Sequence, residues 1–159
     1  MSVQRYTSRT FQFRDAVMDR LRAATWPPSP YLPPNVASPH IGWDAEAAEF
    51  VMVDRVASGV DVARLGPTGR DERITATILI FTGIVGRPED DAHARCAELA
   101  DVVQRLFFDD TGPFPEPVDL GLAGEFSSAS IDRVEILPGR TPEGFEVRCE
   151  IDVSVSADI

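Results

Sequence analysis

Asp110-Thr111-Gly112 is the most enzyme-like string in the chain. Aspartic proteases use such D-T-G triplets in pairs, with two aspartates sharing one proton. There the triplet follows an apolar strand. Here it follows the end of a predicted helix and runs into Pro113 and Pro115, the composition of a helix-exit turn. His93 and Cys96 stand three apart on that helix, a spacing that puts two ligands within reach of one metal. Cys96, however, belongs to the helix's apolar stripe, no second cysteine–histidine pair lies nearby, and His40 falls in a proline-rich stretch. Structural zinc sites almost always take four protein ligands, so no metal is expected. The carboxylates Glu89-Asp90-Asp91 and Asp109-Asp110 lack the alternating spacing of a calcium loop and read as helix-capping and solvated groups. Neither histidine has a nucleophile-elbow or papain-like context. Gly66-Pro67-Thr68-Gly69-Arg70 lacks the Lys-Ser/Thr ending of a phosphate loop, and no G-x-G-x-x-G follows a strand. The expectation is a non-enzymatic protein without a cofactor, structural or binding in role.

Periodicity shows the elements that would position these residues. Phe13, Val17, Leu21 and Ala24 recur at helical spacing over residues 10–26, flanked by Arg14, Met18 and Trp26, with Ser8 or Thr10 as N-cap and Pro27-Pro28 as the stop. Phe50–Val56 reads as a strand with Phe50, Met52, Asp54 and Val56 on one face. Ser58-Gly59 reads as a hairpin turn, Val60–Leu65 as a short return strand, and Gly66–Gly69 as a second turn. Arg73–Val85 is a longer strand whose run Ile78-Leu79-Ile80-Phe81 is apolar on both sides, as in a central strand covered on both faces. Residues 88–108 form the clearest helix, with Ala92, Cys96, Leu99, Ala100, Val103, Leu106 and Phe107 in one stripe. Pro88, Glu89, Asp90 and Asp91 suit its first turn.

Asp109–Pro117 reads as a loop, Val118–Gly124 as a short extended segment and Phe126–Leu137 as an irregular strand. Pro138–Gly144 reads as the hairpin loop into a last strand. From Phe145 to Ala157 that strand alternates without a break. Phe145, Val147, Cys149, Ile151, Val153, Val155 and Ala157 share one side, and Glu146, Arg148, Glu150, Asp152, Ser154 and Ser156 the other. The predicted architecture is α+β: one mostly antiparallel sheet of four to five strands, with two helices packed on one face, in a single domain over 1–159. A proline-rich loop or arm at about 27–48 interrupts it. Six prolines lie between positions 27 and 39, with Tyr31, Ile41 and Trp43 interleaved. Such a segment either lies across its own domain or docks on a neighbouring chain.

The formal charge is −11, unevenly spread. Residues 1–26 hold five arginines against Asp15 and Asp19, a net of +3, so the remainder carries −14. Such a body repels phosphate and disfavours general nucleic-acid binding. All fifteen basic residues are arginine, whose bidentate fork suits subunit contacts. Tyr31, Trp43, Arg14 and Arg148 are the candidate subunit or partner contacts. The two cysteines, Cys96 and Cys149, fall on buried stripes and are expected to be reduced core residues, neighbours if the helix packs on the last strand. No apolar run reaches the roughly 20 residues of a membrane span, and Met1-Ser2-Val3-Gln4-Arg5 lacks a secretory signal's apolar core, so neither a membrane nor export is expected.

The order of elements resembles the tail terminator proteins of long-tailed (siphovirus-like) bacteriophages. The resemblance lies in the amphipathic helix Phe11–Ala24, the hairpin arm near Gly66-Pro67-Thr68-Gly69, the strand Arg73–Ile80, the helix Ala94–Val103 and the closing strand Glu146–Val155. The proline-rich segment is longer than the family pattern. The resemblance implies a homohexameric ring in the virion neck, assembled in the host cytoplasm. Such a ring caps the tail tube protein, meets a head-completion or connector protein, and lets DNA pass through its lumen without specific binding. Glu146, Glu150 and Asp152 are then candidate lumen carboxylates, or partners for arginines of the next subunit. Two alternatives stand beside this reading: another head–tail connector or tail-completion protein, and a small carboxylate-using enzyme or ligand-binding domain around Asp110.

Overall fold

The computed structural model describes residues 9–28, 39–44, 47–61, 71–85, 89–109, 116–117, 129–141 and 144–158. Helix α1 spans Thr10–Ala23, strand β1 His40–Ile41, β2 Glu49–Asp61 and β3 Asp71–Val85. Helix α2 spans Glu89–Phe107, followed by β4 Phe108–Asp109, β5 Glu116–Pro117, β6 Ser130–Thr141 and β7 Gly144–Asp158. Five strands form one sheet in the order β1-β2-β3-β7-β6, and β4 and β5 pair separately. Every pairing in the large sheet is antiparallel except β1 with β2. The fold is α+β, with α1 against β2 and β3, and α2 against β3 and β7, reaching β6.

Alternation on the strands fixes which face is covered. Ile74, Ala76, Ile78 and Ile80 of β3 and Val147, Cys149, Ile151, Val153 and Val155 of β7 point to the helices. They meet Phe13, Val17, Met18 and Leu21 of α1 and Ala92, Cys96, Leu99, Ala100, Val103 and Phe107 of α2 in one core. The helical stripes and the row on the last strand match the sequence pattern, and the last two strands pair antiparallel as expected. β3 is central, as its doubly apolar run implies. Its outer face is covered locally by the Phe50–Phe81 stack, with ring centroids 4.8 Å apart.

Several expectations need correction. Ser58-Gly59 does not turn: both lie inside β2, opposite Ile74 and Arg73, so one long hairpin replaces two short ones. Gly59 has open space around it and no positive φ that would force a turn. The apolar row of β2 is not Phe50, Met52, Asp54 and Val56. Val51 and Val53 face the core, a bulge at Asp54 shifts the register, and Val56 then joins them. The last hairpin is tighter than a Pro138–Gly144 loop, because β6 continues to Thr141 and β7 begins at Gly144. Helix α1 stops at Ala23, and its N-cap is Arg9, with no side-chain cap. The capping group instead comes from β3. Buried Glu72 accepts from the Arg9 N–H at 3.4 Å and from the Thr10 hydroxyl at 3.3 Å. The segment Val118–Gly124 lies outside the described residues.

Candidate interaction surfaces

The face of the sheet away from the helices is a polar layer with arginines at its nodes. Glu135 and Glu150 stand directly opposite on β6 and β7, an arrangement that is repulsive alone. Arg133 resolves it. Its Nη2 donates to Glu150 at 2.8 Å and its Nε to Asp152 at 2.8 Å, and Nη1 donates to Glu135. Arg55 of β2 approaches Glu150 from the other side at 3.7 Å. The Thr77 hydroxyl donates to Asp152 at 2.7 Å. The hydrogen bond from Arg133 holds the Asp152 carboxyl below the usual carboxylate range, against partial burial and with help from Thr77 and the Arg55 charge. One register step away, Arg73 donates to Asp132 at 2.7 Å, and Ser154 and Ser130 donate to the same carboxylate. Partial burial pushes Asp132 up, but these three donors outweigh it and leave its carboxyl low.

The candidate carboxylates therefore stand together on the open face of β7, as alternation requires, but they are not alike. Glu150 and Asp152 are held by arginines of their own chain. Glu146 is nearer the strand's start, with Arg148 at 3.7 Å. The Arg148 guanidinium lies 5.9 Å from the centre of the Phe81 ring, a cation–π contact on the same face. Arg14 is exposed on α1 beside Asp15, at 3.3 Å. Trp43 projects just after β1 and is 68% exposed. Tyr31, together with the Asp110-Thr111-Gly112 triplet, lies outside the described residues.

A second surface lies between α2 and β6. The sheet extends past the helix, so Val134 and Ile136 face the helical side yet stay exposed. Between them and α2 runs a groove of about 520 Å³, lined by His93, Ala97, Ala100, Asp101 and Gln104 on the helix and floored by Cys96 and Cys149. Both cysteines are free and buried. The two thiols share a hydrogen bond, which with burial raises the Cys96 thiol far above its ordinary range. Among the described residues, no cluster of three or more histidine, cysteine or acidic side chains is placed to hold a metal ion, and no helix is long and apolar enough to cross a membrane.

One buried ion pair is marked by no motif in the sequence. Arg95 of α2 is 3% exposed and Glu49 of β2 is 4% exposed. They form a bidentate pair, Nε to Oε2 at 2.9 Å and Nη2 to Oε1 at 2.6 Å. The remaining nitrogen, Nη1, donates to the Pro27 carbonyl at 2.8 Å and to Glu98 at 3.0 Å. One side chain thus joins α2, the start of β2 and the exit of α1, where the proline-rich stretch begins. The signal was present: Arg95 lies three residues after Ala92 and four before Leu99, on the apolar stripe itself.

No protein-family model matches the chain, and no curated protein matches it either.

Proposed function

We propose that this chain is a non-catalytic structural subunit of a phage neck, a tail-terminator-like protein that forms a homohexameric ring on the tail tube and joins it to the head. The observation that carries the reading is the open sheet face. Long strands present Arg55, Arg73, Arg133 and Arg148 interleaved with Asp132, Glu135, Glu146, Glu150 and Asp152, most of them in ion pairs. Such a surface is a braced, water-facing wall rather than a cleft that converges on one reacting atom. A wall whose arginines are already neutralised offers few free cations to phosphate, which suits a channel that DNA must traverse without sticking. In this reading Glu146 and Arg148, the pair least enclosed by the network, are the positions nearest to a neighbouring subunit.

Electron microscopy of the purified chain, alone and mixed with the tail tube protein encoded beside it, tests the proposal. Six copies in a ring seated on the tube end are expected, and loss of the chain should leave heads and tails unjoined. A ring seated on the portal rather than the tube would move the chain to the connector reading. A gene lying among metabolic genes, with no tail-tube gene nearby, would overturn both phage readings.

A further inference from the structure

The exposed large apolar side chains among the described residues are not scattered. Phe11 is 78% exposed and Trp43 68% exposed, and both belong to the α1, β1 and β2 side of the molecule. Val134, Ile136 and Leu137 are the others, and all three lie on β6, the opposite edge of the sheet. Aromatic projections occupy one edge; at the other, Val134 and Ile136 form an aliphatic shelf beside the groove, while Leu137, opposite Arg148, belongs to the polar face.

Charge divides the same way. Arg9 and helix α1 together carry four arginines, Arg9, Arg14, Arg20 and Arg22, against two aspartates, Asp15 and Asp19. Arg14 and Arg22 pair with those aspartates and Arg20 turns inward to the Leu106 carbonyl of α2 at 3.1 Å, so the edge keeps a modest positive excess. Helix α2 carries five carboxylates, Glu89, Asp90, Asp91, Glu98 and Asp101, against Arg95 and Arg105, and Arg95 is buried on Glu49. Since α1 lies over β2 and β3 and α2 over β3, β7 and β6, the helical layer is cationic at one edge and anionic at the other.

We infer that the groove between α2 and β6 receives Trp43 of a second copy of this chain, in a head-to-tail contact that sets the basic α1 edge of one subunit against the acidic α2 edge of the next. The groove's chemistry fits an indole. Ala97, Ala100, Val134, Ile136 and Val147 supply the apolar walls, and Asp101 and Gln104 lie at the site to accept the indole N–H. Burying one tryptophan removes only about 150–250 Å² from water, against roughly 1,600 Å² in a stable interface. The facing charged helices complete the contact. Because the two surfaces differ, the contact is heterologous: it propagates, closing into a ring when the rotation allows and running as a filament when it does not. The inference rests on the ring reading only in needing a second copy.

The test uses the full chain in sedimentation velocity, alone and with tail tube protein, with Trp43→Ala removing the projection and Ala97→Arg blocking the groove. Both positions are exposed, and buried Trp26 remains as a fluorescence reporter that each variant is folded. Wild type is expected to assemble beyond a dimer, more weakly as salt rises. Each variant alone is expected to be monomeric, and an equal mixture to give a one-to-one heterodimer and nothing larger, since the mixture holds one intact projection and one intact groove. Variants that assemble like wild type, or a mixture that stays monomeric, overturn the docking while leaving the ring reading standing. Assembly lost in Phe11→Ala but kept in Trp43→Ala assigns the groove to Phe11 and overturns the assignment to Trp43. A wild-type chain that is monomeric in both settings overturns docking and ring together.

Discussion

Arg95 provides the sharpest test of how this fold is held. Its guanidinium is almost wholly enclosed, and all four of its polar contacts are within 3.0 Å. Arg95→Met keeps the length and apolar volume of the stem but strands the Glu49 carboxylate, 4% exposed, without its counter-charge. It also leaves the Pro27 carbonyl without its donor. Breaking one side of a buried pair costs about 3–5 kcal/mol. For a chain of this size that is a fall in Tm of roughly 6–20 °C. Glu49→Leu is expected to cost less, about 2 kcal/mol, because Arg95 keeps Glu98, which is half-exposed, and the Pro27 carbonyl. The double variant Glu49→Leu/Arg95→Met removes both charges and is expected to lie within about 1–2 kcal/mol of wild type, the residue being the lost hydrogen bond to Pro27. The second substitution therefore restores stability to the first. Urea unfolding followed by circular dichroism reads all four corners of the cycle. Arg95→Met within about 0.5 kcal/mol of wild type, or a double variant as unstable as the sum of the singles, would refute the account.

Three further outcomes follow from contacts in the fold. Asp152 and Asp132 have folded-state pKa values depressed below their unfolded values. The stability they add is thus present above about pH 4 and is lost as pH falls through the lower, folded values. Thermal melts stepped downward from that pH should show the loss, Asp152→Asn should flatten it, and in Arg133→Gln the Asp152 carboxyl should titrate higher by NMR. Gly83→Ala would place a Cβ 2.8 Å from the Phe81 ring, forcing that ring off Phe50. A loss of about 1–3 kcal/mol is expected in urea unfolding, and Phe81→Leu in the same chain should reduce it. Glu72→Gln keeps an acceptor at the start of α1 but removes the charge facing the helix dipole, whereas Glu72→Ala removes both. Losses of about 0.5–1 and 1–2 kcal/mol are expected, ordered Gln before Ala.

Most of the fold was legible because its rows are long. Seven alternating positions on β7 and seven stripe positions on α2 leave little freedom in how those elements face. What escaped was local. The pair Ser58-Gly59 has turn chemistry, yet the cross-strand partners Ile74 and Arg73 keep it extended, so tertiary pairing overrides propensity. The bulge at Asp54 moves the inward row from odd to even positions, and no strict period-two count survives such a step. The buried charges were visible in principle. Glu49, Glu72 and Arg95 each continue an apolar row, with Val51, Ile74 and Ala92 as neighbours in it, but a row does not name the partner that makes burial tolerable. The candidate surface residues were legible only as types. Alternation placed Glu146, Glu150 and Asp152 on one face, but Arg133, their neighbour across the hairpin, lies in the strand with the least regular pattern. The groove depends on α2 being too narrow to cover β6, a matter of relative position that no single element encodes.

The pairing of β3 with β7 has a consequence for how the chain comes into being. β2 with β3 and β6 with β7 are hairpins between sequence neighbours, and both can close early. The join between the two hairpins is different. Even its nearest rungs, Val85 and Gly144, bracket all of α2 and β6, and its farthest are Asp71 and Asp158. Closing so distant a contact carries the largest loop entropy of any strand pairing in the sheet, so it forms late. During synthesis β3 leaves the ribosome long before its partner. Until β7 arrives, its hydrogen-bonding edge at Ile78 and Ile80 stays open, an adhesive strip on a half-made protein. A chain cut before Gly144 would carry that strip permanently, and aggregation rather than a smaller folded unit is its expected fate.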